Sequence, residues 1–299
     1  MNHSSDKIIL IDGFNLLSRG YFATSFNKEP HELQRNQDGR YVNAVNVFMT
    51  KIFQLIREQS PTAIHVSWDG KRSDILRTKA YDQYKAQRND LPEPLVDQYH
   101  YLEEILKELN VPQSAARGYE ADDIMGTLAK RWGSEMKGKV VLYSNDRDLF
   151  QLIDENITQR VAKKKMEIDY NLFLFKEEFD LHPSQWVDVK ALLGDTSDNI
   201  PGCPGVGEKS AYPLIRKYHH LDGVYQAIAN DSLDTSFKRY KTKLINGEKL
   251  ARISYELATI ETEVPLISEI PLDSLALTFS HTDAETIMQN HGLRKPVSF

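Results

Sequence analysis

The sequence predicts an α/β protein built around a mainly parallel sheet, and two observations support that expectation. Residues 7–12, 63–69 and 139–146 form apolar runs of the kind found in strands that are covered on both faces. Segments with a helical spacing of apolar residues alternate with these runs, which is typical of a layered α/β core. Each run ends on an aspartate, and ligands of open α/β sheets bind at the carboxyl ends of the strands.

The helices follow in order along the chain. Apolar residues recur at helical spacing in 43–58, which ends before Pro61, and again in 95–109 and 120–132. Short helices are expected at 186–193 and 208–218, on either side of a turn rich in glycine and proline. Residues 265–299 carry the weakest pattern of the chain.

Residues 70–95 differ from the segments around them. They are polar, basic and rich in tyrosine, with only a thin apolar stripe. Such a segment is a poor core element, so we expect an exposed arch. Beyond about Asp180 the pattern becomes helical and rich in turns. We therefore expect an α/β core at 1–178, which includes the arch, and a helical subdomain at 179–299.

The composition excludes several classes of protein. The chain has 299 residues, of which 40% are hydrophobic, enough for a substantial core. Its single cysteine excludes a disulfide framework and a cysteine-based zinc site. The first residues lack the pattern of a signal peptide, and no apolar run reaches the ~18 residues of a membrane span. We expect a cytoplasmic protein without a membrane partner.

The charge is unevenly distributed along the chain. A formal net charge of −6 at pH 7 at first argues against a nucleic-acid partner. However, many of the acids are concentrated in a few short motifs, whereas residues 71–88 and 238–252 are basic. Either basic stretch alone could be a solvated helix face. Two of them in one chain with a cluster of acids favour binding of nucleic acid.

Nine carboxylates stand at predicted strand ends or in tight motifs. Such a group cannot stay ionised together unless cations neutralise it. Because the ligand atoms are all oxygens, the group suits two or more Mg²⁺ ions, with Mn²⁺ as a substitute, and disfavours Zn²⁺. Two such ions close together can catalyse phosphoryl transfer. The candidate ligands are Asp12, Asp69, Glu120, Asp122, Asp123, Asp146, Asp148, Asp195 and Asp198.

Individual members of this group have simpler explanations. Acids at the start of a helix, such as Glu120 and Asp123, complement the helix dipole. Asp146 and Asp148 could belong to an ordinary turn, and Asp198 could be a helix N-cap. These explanations do not account for strand-end aspartates that meet at one edge of a sheet, so we favour the metal site.

A glycine-rich turn at 202–207 separates the two short helices, so a helix-hairpin-helix is expected at about 186–220. Gly202, Gly205 and Gly207 would let the backbone approach a phosphate, and the helix beginning near Lys209 and Ser210 offers free N–H groups. Such contacts hold nucleic acid without reading its sequence. The alternative is a tight turn between two packed helices.

Together these motifs resemble the 5′-nucleases of the flap endonuclease superfamily. The chain is most similar to bacterial and phage 5′→3′ exonucleases, including the N-terminal domain of bacterial DNA polymerase I. The resemblance extends from about residue 8 to residue 265. It rests on Ile11-Asp12-Gly13, Trp68-Asp69, Asp146-Arg147-Asp148 and the segments 84–88, 118–126 and 194–211.

The resemblance implies a fold and a role for each motif. The fold would be a PIN-like three-layer core with a helical arch and a C-terminal helical subdomain that carries the hairpin. The nine carboxylates would hold the metals. Lys85 would reach the scissile phosphate from the base of the arch, with Arg88 and Arg77 as further basic arch residues. Tyr84 would stack on a base, and the hairpin would hold duplex DNA and a K⁺ ion.

The implied activity is that of a stand-alone hydrolase in DNA replication or repair. It would be a structure-specific 5′-nuclease, a 5′→3′ exonuclease and flap endonuclease, that acts as a monomer on 5′-flap, nicked or primer-bearing DNA, including RNA–DNA hybrids. A DNA polymerase would act in trans. The alternatives are a metal-dependent ribonuclease of related fold and a DNA-binding module without catalysis. Nuclease assays with and without Mg²⁺ would separate the three.

Overall fold

The computed structural model describes residues 6–163 and 166–299. This part of the chain contains no helix that is both long enough and apolar enough to cross a membrane. Its elements form two compact units, each considered by itself. The first unit consists of residues 6–70, 90–145 and 262–299, and the second of residues 71–89, 146–163 and 166–261.

The first unit contains a parallel sheet of the strands β1 (Lys7–Asp12), β2 (Ala63–Trp68), β3 (Gln113–Ala115) and β4 (Lys139–Tyr143) in the order β3-β2-β1-β4. Ile8 pairs with Ala63 on one side and with Val140 on the other. Because both neighbours of β1 are parallel to it, the carboxyl ends of these strands lie at one edge.

The helices of the first unit are α1 (Gly13–Ser25), α2 (Asn43–Gln59), α4 (Glu93–Glu108), α5 (Ala121–Arg131), α11 (Pro265–Ser268) and α12 (His281–Asn290). Phe48, Phe53 and Trp68 are fully buried in its core. The weakly patterned tail joins the same core through Met288 and Phe299, whose ring stacks on that of Phe53 at 5.4 Å. The tail is therefore part of the structure of this unit.

The second unit is mainly helical. It contains α3 (Leu76–Ala80), α6 (Leu172–Phe179), α7 (Trp186–Leu193), α8 (Glu208–Tyr218), α9 (Leu221–Ala229) and α10 (Lys241–Ala258), together with the antiparallel strands β5 (Ile157–Lys163) and β6 (Met166–Tyr170). Its core is aromatic: Phe150, Phe175, Phe179 and Trp186 pack with ring centroids 4.8–5.8 Å apart.

The predicted fold class is confirmed, and the predicted helices are found within two residues of their expected bounds. Most residues of 71–90 are exposed, as expected of the arch, and only Ile75 and Tyr84 of this segment are buried. The compact units also divide the chain differently from the expected 1–178 and 179–299, whose residues 1–5 lie outside the described chain. A unit defined by contacts in space need not coincide with a domain defined along the sequence. The expected division into two domains therefore stays a prediction.

Candidate active site

The first set of carboxylates begins at the ends of β1 and β2. Asp12 caps α1, because its Oδ1 accepts a hydrogen bond from the Asn15 N–H at 3.0 Å. Its Oδ2 accepts from the Ser144 hydroxyl at 2.8 Å, which ties the end of β1 to the segment after β4. A β-carbon at Gly13 would lie 2.3 Å from the Trp68 ring, so glycine is required where α1 leaves the sheet.

The other members of the first set meet at the start of α5. The Ala121 N–H donates to Asp69 Oδ1 at 2.8 Å, which brings the end of β2 to this helix. Glu120 and Asp123 are buried, and the Glu120 N–H donates to Asp123 Oδ2 at 3.0 Å. Oxygen atoms of Glu120, Asp122 and Asp123 all lie within 4.8 Å of one another.

Capping explains only part of this arrangement. The helix start uses one oxygen of Asp123, which accepts from the Glu120 N–H, and one of Asp122, which accepts from the Asp123 N–H at 2.8 Å, as the simpler explanation for acids at a helix start predicts. Three carboxylates within 4.8 Å are a group that could hold a metal ion, and their all-oxygen donor set suits a hard divalent cation. We define the first set as Asp12, Asp69, Glu120, Asp122 and Asp123, of which Glu120, Asp122 and Asp123 have the close geometry that a metal site requires.

A second set of carboxylates lies in the second unit and consists of Asp146, Asp148, Asp195 and Asp198. Asp148 is buried, and its N–H donates to Asp146 Oδ1 at 2.8 Å. The Nζ of Lys190 lies 2.7 Å from Asp148 Oδ1 and also pairs with Asp195 Oδ2. One lysine thus bridges two candidate metal ligands.

Burial and charge shift the pKa values of this bridged group. Burial raises the pKa of Asp148 to about 7, with a further rise from the charge of Asp146 and an opposing effect from Lys190. For Asp195, burial acts to raise the pKa, but hydrogen bonds from Lys190 and Ser197 overcome it and lower the pKa to about 2. Burial alone would lower the pKa of Lys190, yet its two carboxylate partners raise it. The ammonium group therefore stays charged.

Lys190 is the residue that the sequence analysis missed. A signal for it was present, because Lys190 is the one basic residue in the stretch from Val187 to Leu193, whose other residues are apolar apart from Asp188, and it stands five residues before Asp195. A charged residue on the buried face of a helix needs a partner of opposite charge.

Asp198 also pairs with cations, and both come from the predicted arch. Arg88 Nη2 lies 2.6 Å from Asp198 Oδ1, and Lys85 Nζ lies 3.5 Å from Oδ2. The Lys85 N–H donates to the Asp198 carbonyl at 2.8 Å, and Lys85 adopts a left-handed backbone conformation with φ of 53°. Only 15% of the Lys85 side chain is exposed, against 47% for Arg88.

Two of the predicted arch roles stay predictions. Tyr84 is 4% exposed and packs in one cluster with Val187, Ile200 and Leu257, so stacking on a base would require its ring to leave this cluster. The Lys85 ammonium lies 5.0 Å from the centre of that ring instead. Arg77 donates to the Thr259 carbonyl at 2.6 Å, and its contact with nucleic acid stays a prediction.

The hairpin glycines serve different purposes. Gly202 has φ of 66°, and a β-carbon there would lie 2.5 Å from the Gly194 nitrogen, so this glycine is required by packing. Gly205 has φ of 79° and is exposed. A β-carbon at Gly207 would have nothing within 4 Å, which leaves space beside the start of α8. Lys209 is exposed there, whereas the buried Ser210 hydroxyl donates to the Gly207 carbonyl at 2.9 Å.

Comparison with known proteins gives the same family for both halves of the chain. Two family models match: the N-terminal resolvase-like domain of 5′-3′ exonucleases over residues 7–179 and the C-terminal SAM fold of 5′-3′ exonucleases over residues 181–283. A 5′-3′ exonuclease of Halalkalibacterium halodurans is 51% identical over 274 residues, which are 92% of this chain and 90% of that protein.

Two further likenesses are more distant. DNA polymerase I of Bacillus caldotenax is 35% identical over 273 residues, which are 90% of this chain but 29% of the polymerase. Among solved structures, the T5 5′-exonuclease with bound divalent metal ions (zinc) has a TM-score of 0.67 at 24% identity, covering 95% of this chain and 98% of that one. This structural likeness concerns the fold.

Proposed function

Since the chain belongs to the 5′-3′ exonuclease family, as its motifs predicted, we propose that it is a divalent-metal-dependent nuclease that cuts DNA near 5′ ends. The observation that carries this proposal is the close group of Glu120, Asp122 and Asp123, whose oxygens lie within 4.8 Å of one another. A carboxylate group this compact is stabilised by a bound cation.

The residues of both sets fit hard divalent ions, and Mg²⁺, with Mn²⁺ as a substitute, is the proposed metal. The proposed metal ligands of the first unit are Asp12, Asp69, Glu120 and Asp122, and those of the second unit are Asp146 and Asp148. Asp123, Asp195 and Asp198 are the further ligands proposed for a second metal. When bound, the metal would lower the pKa of a water nucleophile and stabilise the leaving oxygen.

The chain's own cations would act on the phosphate. Lys85 and Arg88 meet at Asp198, which holds two positive side chains ready for an anionic group. Lys85 is held on both sides, through its backbone N–H and its ammonium, so its position costs little reorganisation when charge develops. We propose that Lys85 neutralises charge on the scissile phosphate in the transition state.

The proposed substrates are 5′-flap, nicked and primer-bearing DNA, including RNA–DNA hybrids. The hairpin supports duplex binding through the exposed Gly205 and Gly207, with Lys209 beside them. Action as a monomer with a polymerase in trans, location in the cytoplasm and a K⁺ ion at the hairpin also stay proposals.

The test is one set of cleavage reactions. The purified chain is incubated with 5′-flap, nicked-duplex and single-stranded DNA, each labelled at either end in separate reactions, with Mg²⁺ or with EDTA. A single-stranded RNA substrate is run in parallel. The proposal expects Mg²⁺-dependent cutting near the 5′ end of the flap and nicked substrates. Cutting of RNA alone would favour the ribonuclease, and binding without cutting in either buffer would favour the DNA-binding module.

A further inference from the structure

We propose that a basic cluster beside the hairpin, consisting of Lys238, Arg239 and Lys243, extends the binding surface for duplex phosphates. The cluster lies at the end of the 3₁₀ helix Thr235–Tyr240 and in the first turn of α10. The inference rests on the proposed function, because it assumes that the duplex of a nuclease substrate reaches the hairpin. It adds a second patch of contacts to that site.

The cluster adjoins the hairpin directly. Lys243 Nζ lies 3.3 Å from the Gly205 carbonyl, and a β-carbon at Gly205 would lie 3.0 Å from Lys243 Cδ. The ring of Tyr240 joins the cations, since the Arg239 guanidinium lies 4.7 Å and the Lys243 ammonium 5.9 Å from its centre. A phosphate backbone that touches Gly205 would therefore pass beside Lys243 and Arg239.

The cations of this cluster differ from their basic neighbours in pairing. Lys241 pairs with Asp231, Lys217 with Asp234, and Arg252 with Asp222. Within residues 6–163 and 166–299, the exposed side chains of Lys238, Arg239 and Lys243 form no ion pair. Lys238 does lower the pKa of Asp231, after the larger effects of Lys241. Three unpaired cations in a chain of net charge −6 mark a surface for an anion.

The chemistry of the surroundings favours a nucleic-acid phosphate backbone over an acidic protein. The neighbouring hairpin presents open backbone at Gly207, where a β-carbon would have nothing within 4 Å, and backbone beside the Lys243 side chain at Gly205. Backbone groups together with lysine and arginine charges are the usual contacts to phosphates, and they carry no sequence information.

The salt dependence of duplex binding tests the proposal. Affinity for a fluorescent 5′-flap duplex is measured in EDTA over a range of salt concentrations, because each phosphate contact contributes about 0.9 to the slope of log K against log [salt]. Lys243→Ala should lower the slope by about 0.9, and the triple alanine variant by roughly two to three units. Circular dichroism and the thermal midpoint verify that each variant is folded.

Lys249→Ala is the matched control. Lys249 is also exposed and unpaired on α10, but it stands six residues after Lys243 and therefore about 120° around the helix from it. Lys249→Ala removes the same positive charge as Lys243→Ala, so a general effect of net charge would change the slope of both variants alike. The proposal expects the wild-type slope for Lys249→Ala and equal affinity for two duplexes of unrelated sequence.

Three outcomes would overturn the inference: equal slopes for Lys243→Ala and Lys249→Ala, a triple variant with the wild-type slope, or competition by polyglutamate as strong as by unlabelled duplex of equal charge. The last would assign the cluster to polyanions in general. Wild-type flap cleavage in low salt with Mg²⁺ is measured beside these. If the wild type cleaves the flap but Lys243→Ala and Lys249→Ala have equal slopes, only this inference fails. If the wild type does not cleave the flap, the proposed function fails first.

Discussion

The two carboxylate sets of this molecule have different kinds of hydrogen-bond and ion-pair partners. In the first set, backbone N–H groups at the starts of α1 and α5 donate to Asp12, Asp69 and Asp123. In the second set, the positive side chains of Lys190, Lys85 and Arg88 pair with Asp148, Asp195 and Asp198. Backbone dipoles therefore contribute to the first set, and the full charges of side chains contribute to the second.

This difference has a consequence for metal binding. A helix N-terminus offers only about half a positive charge, so backbone donors cannot neutralise several carboxylates. A divalent ion carries two full positive charges and would stabilise the first set strongly. In the second set, lysine and arginine already supply positive charge, and a metal would have to share or replace it. We therefore expect metal removal and cation removal to affect the two sets differently.

The largest effect is expected when the first set loses a ligand charge. Asp12→Asn and Asp122→Asn should each lower the single-turnover rate of flap cleavage by about 10²–10³-fold, because the charge that holds the metal is reduced. Binding of the flap substrate should persist. Rates at saturating enzyme with Mg²⁺ measure the effect, and the exposed Asp38→Asn is the control. A near wild-type rate for either variant would contradict the assignment of the first set.

The second-largest effect concerns the stability of the second set. Lys190→Met keeps most of the side-chain volume but leaves Asp148 and Asp195 without their shared cation, which should cost roughly 3 kcal/mol in EDTA. Mg²⁺ should recover part of the loss, because the ion supplies the missing charge. Urea unfolding with and without Mg²⁺ measures this.

Lys217→Met is the control for that experiment, because Lys217 also pairs with an aspartate but at the exposed surface. Surface pairs contribute little, so its urea midpoint should stay near that of the wild type. A Lys190→Met protein whose loss is the same with Mg²⁺ as with EDTA would show that the lysine and the metal act independently.

A smaller effect separates Lys85 from Arg88, although both pair with Asp198. Lys85→Ala should lower the single-turnover rate by about tenfold to a hundredfold, roughly 1.4–2.7 kcal/mol on the barrier, with little change in affinity. Arg88→Ala, which removes a more exposed side chain, should lower it less. A Lys85→Ala rate within about threefold of wild type, roughly 0.6 kcal/mol, would leave Lys85 without a catalytic role.

Much of this comparison could be predicted from the sequence, because its members stand at fixed places in regular elements. A buried strand that ends on aspartate, as at Asp12, fixes where the side chain lies as soon as the sheet is parallel. The acids at the start of α5 are fixed by the helix itself. At the strand end and at the start of α5, the local sequence pattern alone determines where the acids lie. The fold class and the first set could therefore be predicted from the sequence.

The rest depends on tertiary contacts that no local pattern records. From the sequence alone, Lys190 is an ordinary helix residue. Its ion pair with Asp148 appears only when α7 packs against the segment that carries Asp148. Tyr84 belongs to a polar, basic stretch, yet its ring is buried by residues from distant parts of the chain. The packing of the tail through Met288 and Phe299 likewise depends on cavities formed by other elements.

The last expected effect is a pH dependence of stability that arises in the second set. The pKa of Asp148 is raised from 3.8 to about 7 in the folded chain, mainly by burial. A raised pKa means that the folded state favours the protonated carboxyl, so this stabilisation is complete below about pH 4 and is lost as the pH rises through 7. Asp148→Asn cannot ionise and keeps the neutral form throughout.

In EDTA, the urea midpoint of the wild type should therefore fall relative to that of Asp148→Asn between pH 5 and pH 8, a range given roughly by the folded pKa. Mg²⁺ should weaken or reverse the trend, because the ion favours the ionised carboxylate. If the two midpoints run parallel in EDTA, Lys190 already compensates the buried charge fully, and the second set would need no metal to remain ionised.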